Sequence, residues 1–259
     1  MNTLGMRTAV IQFRPLLKDV QGNLHRLALL AMKAAQANAK LIVLPELALT
    51  GYSFMSAAEV EPLAEVITAF KPGSGDRTSS MGVFHAIAKK YGTHIAWGLI
   101  EKDAGTGKLF NAQVLMCPDG TFESYRKINH FSADFLWAAE GRANPPIRKI
   151  EVGGKTYKVG LLICRDVRDK KDDSWKSFYE KGDADVVVLS ANWGKGGFPA
   201  TAWMDFVKDN DTILAVSNRY GAEIPNDFGE GGVCIIYPDG TVQCDGLVWG
   251  QDCIVYGEV

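Results

Sequence analysis

The chain has 259 residues, of which 47% are hydrophobic and 22% are charged. This composition is typical of a folded domain with a large core, and it excludes disordered, collagen-like and coiled-coil proteins. The 28 basic and 30 acidic residues give a formal net charge of −2, which argues against nucleic acid or an anionic membrane as the main partner. No apolar run approaches the roughly 18 residues of a membrane-spanning helix, and the amino-terminal residues lack the apolar stretch of a signal peptide.

The cysteines indicate a reducing compartment. There are five, they are widely spaced, and none forms a Cys-x-x-Cys pair, so the pattern favours neither a disulfide framework nor a zinc ribbon. We therefore expect a cytoplasmic protein. Free cysteines usually pack as small hydrophobic residues, and we interpret four of the five in this way: Cys117, Cys234, Cys244 and Cys253.

The first half of the chain alternates between strand and helix patterns. Gly92 is expected to end the second helix, and Cys117-Pro118-Asp119-Gly120 has the composition of a hairpin turn. The polar stretch 71–80 is expected to be a surface loop. The predicted strands are residues 8–13, 41–44, 94–100, 111–116 and 121–125, and the predicted helices are residues 24–39 and 81–91.

The second half repeats this order and ends in a second Pro-Asp-Gly turn at residues 238–240. Two such runs predict two stacked sheets flanked by helices, an α/β fold. No linker or change of composition divides the chain, so we predict one domain over residues 1–259. The predicted strands are residues 157–163, 185–190, 213–217 and 233–237, and the predicted helices are residues 175–181 and 203–209.

Three segments place a reactive side chain where a predicted strand ends. Glu46 follows the apolar run 41–44 and Pro45, and a partly desolvated carboxylate at such a place has the raised pKa of a general base; a solvated loop carboxylate is the alternative. Lys127 ends Tyr125-Arg126-Lys127, which by itself is equally typical of a basic surface. Cys164 ends an apolar strand and precedes charged residues, and an electropositive neighbourhood would favour its thiolate.

In this order, the three segments resemble those of the nitrilase superfamily of carbon–nitrogen hydrolases, whose catalytic set is Glu, Lys and Cys. Pro45-Glu46 through Thr50-Gly51-Tyr52 is similar to the family pattern PE(L)xLTGY, and residues 125–127 are similar to YRK. The nucleophile pattern CxDxR is matched by Cys164, Asp166 and Arg168. Further similar positions are Gln12, Asn23, Asn111, residues 190–193 and residues 218–221. The resemblance implies a single-domain, four-layer α-β-β-α sandwich of the amidase-like branch.

The chain also departs from the family pattern. Residues 169–171 replace the usual Phe-Pro-Glu, and residues 206–210 stand where the family has RAxEN. The family's second glutamate, beyond the lysine, has two possible counterparts. We favour Asp134, seven residues after Lys127, over Glu140, because closeness to the lysine matters more than the length of the side chain.

The resemblance implies hydrolysis of a non-peptide C–N bond in a small amide or N-carbamoyl compound through a thioester, with no metal or organic cofactor. Glu46 would be the general base and Cys164 the nucleophile, while Lys127 and the backbone N–H of Arg165 would hold the oxyanion. Arg165 could instead bind a substrate carboxylate or pair with nearby acids. The expected substrate-binding residues are Tyr52, Arg165, Asn192 and Trp193, although Tyr52 and Trp193 could equally be core aromatics.

Two other functions remain open at this stage. The same Glu-Lys-Cys site could hydrolyse nitriles, and a catalytically idle family member could act as a binding module. Against the idle module, all three catalytic residue types are present. The family resemblance also implies a homodimer or a larger homo-oligomer.

Overall fold

The computed structural model describes residues 5–167, 179–194 and 196–259. The helices are α1 (Val20–Gln36), α2 (Ala57–Val60), α3 (Ser80–Tyr91), α4 (Asp134–Trp137) and α5 (Thr201–Asn210). The first strands are β1 (Arg7–Gln12), β2 (Leu41–Val43), β3 (His94–Lys102), β4 (Leu109–Met116), β5 (Phe122–Arg126), β6 (Ile147–Val152) and β7 (Lys155–Ile163). The remaining strands are β8 (Val186–Ala191), β9 (Ile213–Asn218), β10 (Ala222–Glu223), β11 (Asn226–Asp227), β12 (Cys234–Ile236), β13 (Val242–Gln243) and β14 (Cys253–Glu258).

Most strands belong to two six-stranded sheets. The first has the order β14-β1-β2-β3-β4-β5 and the second has the order β13-β12-β9-β8-β7-β6. In the first sheet β1, β2 and β3 run parallel, as do β7, β8 and β9 in the second. Antiparallel strands complete both sheets. The second sheet comes entirely from the second half of the chain, whereas the first sheet combines β1 to β5 with β14, the last strand.

The alternation of side chains along the inner strands explains the layers. In β1, Val10 packs between the sheets, whereas Ala9 and Ile11 face the layer of α1 and α3. In β2, Leu41 and Val43 likewise face the second sheet while Ile42 faces the helices. Helix α5 covers the other side of the second sheet, against β9 and β12. The result is an α-β-β-α sandwich, as the sequence predicts.

Apart from the helix predicted at 175–181, the predicted elements are confirmed, with shifts at their ends. Helix α1 begins at Val20 rather than at residue 24, because the side chain of Asp19 caps it by accepting from the N–H of Gly22 at 3.1 Å. Gly92 ends α3 in the left-handed conformation, as expected. Most of the predicted helix at 175–181 lies outside the described residues, as does Arg168. Among the described helices, none has the length and apolar character required to cross a membrane.

A glycine in β3 allows the chain after β2 to pack closely against the sheet. The N–H of Gly98 donates to the carbonyl of Pro45 at 3.0 Å, and the N–H of Ala48 donates to the carbonyl of Gly98 at 3.2 Å. A Cβ atom on Gly98 would lie 2.5 Å from the Cα of Glu46, a contact with backbone that cannot swing away. Only glycine at this position allows Glu46 to occupy its place.

We expect Gly98→Ala to destabilise the protein by displacing the backbone at Glu46. The expected loss is about 1–3 kcal/mol of the free energy of unfolding, which is typical of overpacking a core, and denaturant unfolding measures it. Gly105→Ala is the matched control, because Gly105 is exposed and its Cβ would meet only Asp103 at 3.6 Å. Equal stability of the two variants would contradict this explanation.

Candidate active site

The candidate catalytic residues lie at the carboxyl ends of strands that run in the same direction. Glu46 follows β2, Lys127 follows β5, Cys164 follows β7 and Asn192 follows β8. Strand β5 runs parallel to β2, because β3 is parallel to β2 and both β3 and β5 are antiparallel to β4. Ligand sites in α/β sheets form at this edge, where the chain leaves each strand.

Lys127 lies between two carboxylates at the centre of the site. Its ammonium donates to Oε1 of Glu46 and to Oδ2 of Asp134, each at 2.7 Å. The side chains of all three residues are completely buried. An ammonium has three N–H donors, and its hydrogen bonds to described residues use two of them, which leaves one for a ligand.

The side-chain amide of Asn111 in β4 also binds the carboxylates of Glu46 and Asp134. Its Nδ2 donates to Oε1 of Glu46 at 2.7 Å and to Oδ1 of Asp134 at 3.0 Å. Asn111 had no role predicted from the sequence alone. The signal was present, since Asn111 is a buried amide in a strand of mostly apolar residues.

Cys164 begins a short 3₁₀ turn, Cys164–Val167, and its backbone has φ = 45°. This left-handed conformation is unfavourable for a residue with a side chain, and such strain is concentrated at functional sites. The N–H of Asn192 donates to Oε2 of Glu46 at 2.9 Å and also lowers the pKa of the Cys164 thiol. The backbone amide of Asn192 therefore acts on both the Glu46 carboxylate and the Cys164 thiol.

The charges at the site fix the protonation of its groups. Burial raises the pKa of Cys164, the negative charge of Glu46 raises it further, and Lys127 opposes this only in part. The expectation that an electropositive neighbourhood favours the thiolate is therefore wrong, because two carboxylates neutralise the Lys127 ammonium. Burial also raises the pKa of Glu46, against the opposing charge of Lys127. Burial alone would lower the pKa of Lys127, but Asp134 and Glu46 raise it, so the ammonium persists.

Of the two acids considered as the partner of Lys127, the structure brings Asp134 to the lysine and leaves Glu140 away from it. Asp134 is buried, and its Oδ2 also accepts from the N–H of Phe131 at 3.0 Å. Glu140 is exposed and lines a separate cleft beside Arg126.

A cleft of about 530 Å³ leads to Cys164. Asn192 and Trp193 line it, and Arg165 forms part of its wall, with its guanidinium 3.4 Å from the carbonyl of His130. Within the described residues, neither polar atom of the buried Asn192 side chain has a hydrogen-bond partner. An unsatisfied carboxamide at the wall of a cleft is available to a ligand.

Tyr52 is not among the residues that line this cleft. It is buried, its ring meets Phe228 edge-on at 5.8 Å, and its hydroxyl donates to the carbonyl of Phe131. Since Phe228 and Phe131 do line the cleft, Tyr52 supports the wall from behind. The charges of the catalytic groups act on the Tyr52 hydroxyl, and its binding of substrate stays a prediction.

Two further groups fix the loops around the site, and neither had a role predicted from the sequence. Asp166 is buried and accepts from the hydroxyl of Tyr125 at 2.9 Å and from the N–H of Asn129 at 3.1 Å, which joins the Cys164 turn to the Lys127 segment. Burial raises the pKa of Asp166 to about 7. Glu223 accepts from the N–H groups of Tyr52 and Ser53, at 2.7 and 2.6 Å.

The positive partner of Glu223 is Arg219, which is fully buried and lies 3.0 Å from its Oε2. Arg219 and Glu223 are only four residues apart, whereas Glu223 and the Tyr52–Ser53 segment are distant in sequence, and the sequence offers no local signal for that contact. Among the described residues, no group of three or more His, Cys, Asp and Glu could hold a metal ion.

Comparison with known proteins supports the assignment of the family. The model of the carbon-nitrogen hydrolase family matches residues 7–259. The chain is 32% identical to omega-amidase NIT2 of Danio rerio over 98% of its own length and 87% of the relative. It is 30% identical to a nitrilase of Pyrococcus abyssi over 72% of its own length, but the match spans only 65% of that relative.

The solved structure of an amidase from Nesterenkonia sp. has the same fold. The two chains superpose with a TM-score of 0.77 at 21% sequence identity, covering 100% of this chain and 92% of the other. The match of the family model over nearly the whole chain shows that the protein belongs to the carbon-nitrogen hydrolase family.

Proposed function

We propose that the protein hydrolyses a small amide or N-carbamoyl compound through a thioester on Cys164. The observation that carries this proposal is the buried charge array, in which the Lys127 ammonium lies 2.7 Å from both Glu46 and Asp134 beside the nucleophile. The structure of the Nesterenkonia amidase with the acetamide moiety of fluoroacetamide on its active-site cysteine supports the same chemistry.

In the first step, Glu46 accepts the proton of the Cys164 thiol as the sulfur attacks the carbonyl carbon of the amide. A base is required because burial keeps the resting thiol protonated. Glu46 is suited to this role because burial raises its pKa, which makes it a stronger base, while the Lys127 ammonium and the Asn111 amide stabilise its carboxylate form.

The attack moves an electron pair onto the carbonyl oxygen, and the resulting oxyanion needs hydrogen-bond donors. The third N–H of Lys127 is one, and the backbone N–H of Arg165 is the other. Each such donor contributes roughly 3–4 kcal/mol in comparable sites. Asp134 keeps the ammonium charged and directed, because its carboxylate raises the pKa of Lys127.

Collapse of the tetrahedral intermediate breaks the C–N bond, and the proton on Glu46 leaves with the amine as ammonia. Glu46 then takes a proton from water, whose oxygen attacks the thioester and releases the carboxylic acid and the free thiol. The unsatisfied carboxamide of Asn192 is suited to hold the polar part of the substrate, and Trp193 and Arg165 line the space beside it.

A screen of small amides, N-carbamoyl compounds and nitriles for ammonia release tests this function. We expect turnover of at least one amide or carbamoyl compound, and no release by Cys164→Ala. Turnover of nitriles alone would establish the second candidate, which the name of the Pyrococcus relative supports. No turnover of any class would favour the idle binding module.

Three further expectations belong to this proposal. The family model covers residues 7–259, which supports a single domain over residues 1–259. The described cysteines are free thiols, which is consistent with the cytoplasm. A homodimer or larger homo-oligomer is expected, and light scattering tests it: a mass near 28.2 kDa, that of one chain, would contradict it.

Cys164→Ala should abolish turnover without unfolding the protein, because it removes one sulfur atom from a strand end. We expect less than about a hundredth of the wild-type rate, measured by ammonia release. Cys164→Ser should be nearly inactive too, because Glu46 is a weak base for a hydroxyl. Cys117→Ser is the control, as this thiol lies at the turn between β4 and β5. Activity of Cys164→Ala above about a hundredth of the wild-type rate would refute the assignment of Cys164 as the nucleophile.

Lys127→Gln should lower kcat by about 10²–10³-fold and change KM little, since the contact strengthens in the transition state. Steady-state kinetics measure both constants. Arg126→Gln is the matched control, because Arg126 pairs with Glu101 and Asp103 outside the cleft. An effect on KM alone would make Lys127 a substrate-binding residue.

Asp134→Asn should lower kcat by about 10- to 100-fold, because the ammonium loses one of the two partners that orient it. Removing this negative charge also lowers the pKa of Lys127, so the alkaline limb of the pH–kcat profile should move to lower pH. Glu140→Gln should behave like the wild type, since Glu140 is exposed in another cleft. A larger loss of kcat in Glu140→Gln than in Asp134→Asn would show that Glu140, and not Asp134, orients the Lys127 ammonium.

A further inference from the structure

Two cysteines far from Cys164 in the chain lie opposite each other at the edge of the second sheet. Strands β12 and β13 are antiparallel, with Ile235 opposite Gln243 and Ile236 opposite Val242. One further step in this register places Cys234 opposite Cys244. Directly opposite residues of an antiparallel pair point to the same face, and both cysteines pack against the same core.

The hydrogen bonds of the hairpin identify which kind of pair this is. The N–H of Tyr237 donates to the carbonyl of Thr241 at 2.9 Å, so these residues form a hydrogen-bonded pair. The two kinds alternate along the ladder, which makes Cys234 and Cys244 a non-hydrogen-bonded pair. In such a pair the Cα atoms lie about 4.5 Å apart, within the range of roughly 4.4–6.8 Å that a disulfide spans.

The electrostatics of the two thiols agree with this register. Burial raises the pKa of Cys234, and the charge of Cys244 raises it further. This electrostatic effect requires proximity of the two groups, and it agrees with the register. Cys244 is partly exposed whereas Cys234 is fully buried, so only Cys244 is open to a reagent from solvent.

We propose that Cys234 and Cys244 form a reversible modification site, a dithiol that closes to a cross-strand disulfide when it reacts with a low-molecular-weight disulfide such as oxidised glutathione. This site is independent of the hydrolase chemistry at Cys164. It also revises the interpretation of both residues as inert hydrophobic side chains.

The reaction proceeds by two thiol–disulfide exchanges. The Cys244 thiolate attacks one sulfur of the reagent, which forms a mixed disulfide and releases one glutathione thiolate. The Cys234 sulfur then attacks the Cys244 sulfur, and its proton passes to the departing sulfur of the second glutathione, which leaves as a thiol. Two thiols of the protein are oxidised to one S–S bond, and the reagent is reduced to two thiols.

The sequence allows this link to be identified without ambiguity. Residues 220–259 contain no Lys or Arg, so trypsin would leave three cysteines in one peptide. Cleavage before aspartate separates them, with Cys234 in residues 227–238, Cys244 in residues 239–244 and Cys253 in residues 252–259.

The experiment treats the full chain with oxidised glutathione, blocks the remaining thiols with iodoacetamide after denaturation, and maps the peptides by mass spectrometry. We expect peptides 227–238 and 239–244 joined and lighter by two hydrogen atoms, with the link lost after dithiothreitol. Cys244→Ser should abolish the link, whereas Cys117→Ser should retain it. Both variants should keep the hydrolase activity of the wild type, since neither residue lines the cleft.

Two results would overturn the proposal. The first is alkylation of both Cys234 and Cys244 in the treated protein, with no link between their peptides. The second is a predominant link from Cys244 to Cys253, which would show that the strand register does not select the partner. Oxidation in urea gives the reference, in which the unfolded chain should form a mixture of links.

Discussion

The burial of one ammonium between two carboxylates is the constraint on which the rest of the site depends. Taking Lys127, Glu46 and Asp134 out of water costs several kcal/mol per ion, and only good geometry with further hydrogen bonds offsets this. Asn111 and the N–H of Asn192 supply those bonds. Because the array has one more negative than positive charge, it disfavours a second anion nearby, and Cys164 rests as a neutral thiol whose proton Glu46 is placed to accept.

The fold makes this array possible by bringing strand ends together. Each sheet contains parallel strands whose carboxyl ends open toward the same edge, so residues from distant parts of the sequence meet without long connecting loops. Close packing behind the site is equally necessary. Gly98 lets the Glu46 segment approach β3, and Asp166 holds the Cys164 turn to the segment that follows Lys127.

The loops that form the cleft wall depend on a second buried ion pair. Arg219 and Glu223 lie behind Phe228, and Glu223 holds the backbone of Tyr52 and Ser53. Tyr52 in turn contacts Phe228 and the carbonyl of Phe131. The shape of the cleft therefore rests on contacts between the segments around residues 52, 131 and 223, each from a different part of the chain.

Local chemistry was sufficient to predict the strands, the main helices, the two Pro-Asp-Gly turns and the positions of Glu46, Lys127 and Cys164 at strand ends. Apolar runs and turn residues carry that information within a few residues of each element. The tertiary structure decided which acid pairs with Lys127, that Cys164 is a neutral thiol, and that Tyr52 lies behind the cleft wall. The tertiary structure also decided the roles of Asn111 and Asp166, and it placed Cys234 opposite Cys244. Each of these depends on burial or on contacts between segments, and both arise only when the chain folds and the sheets pack together.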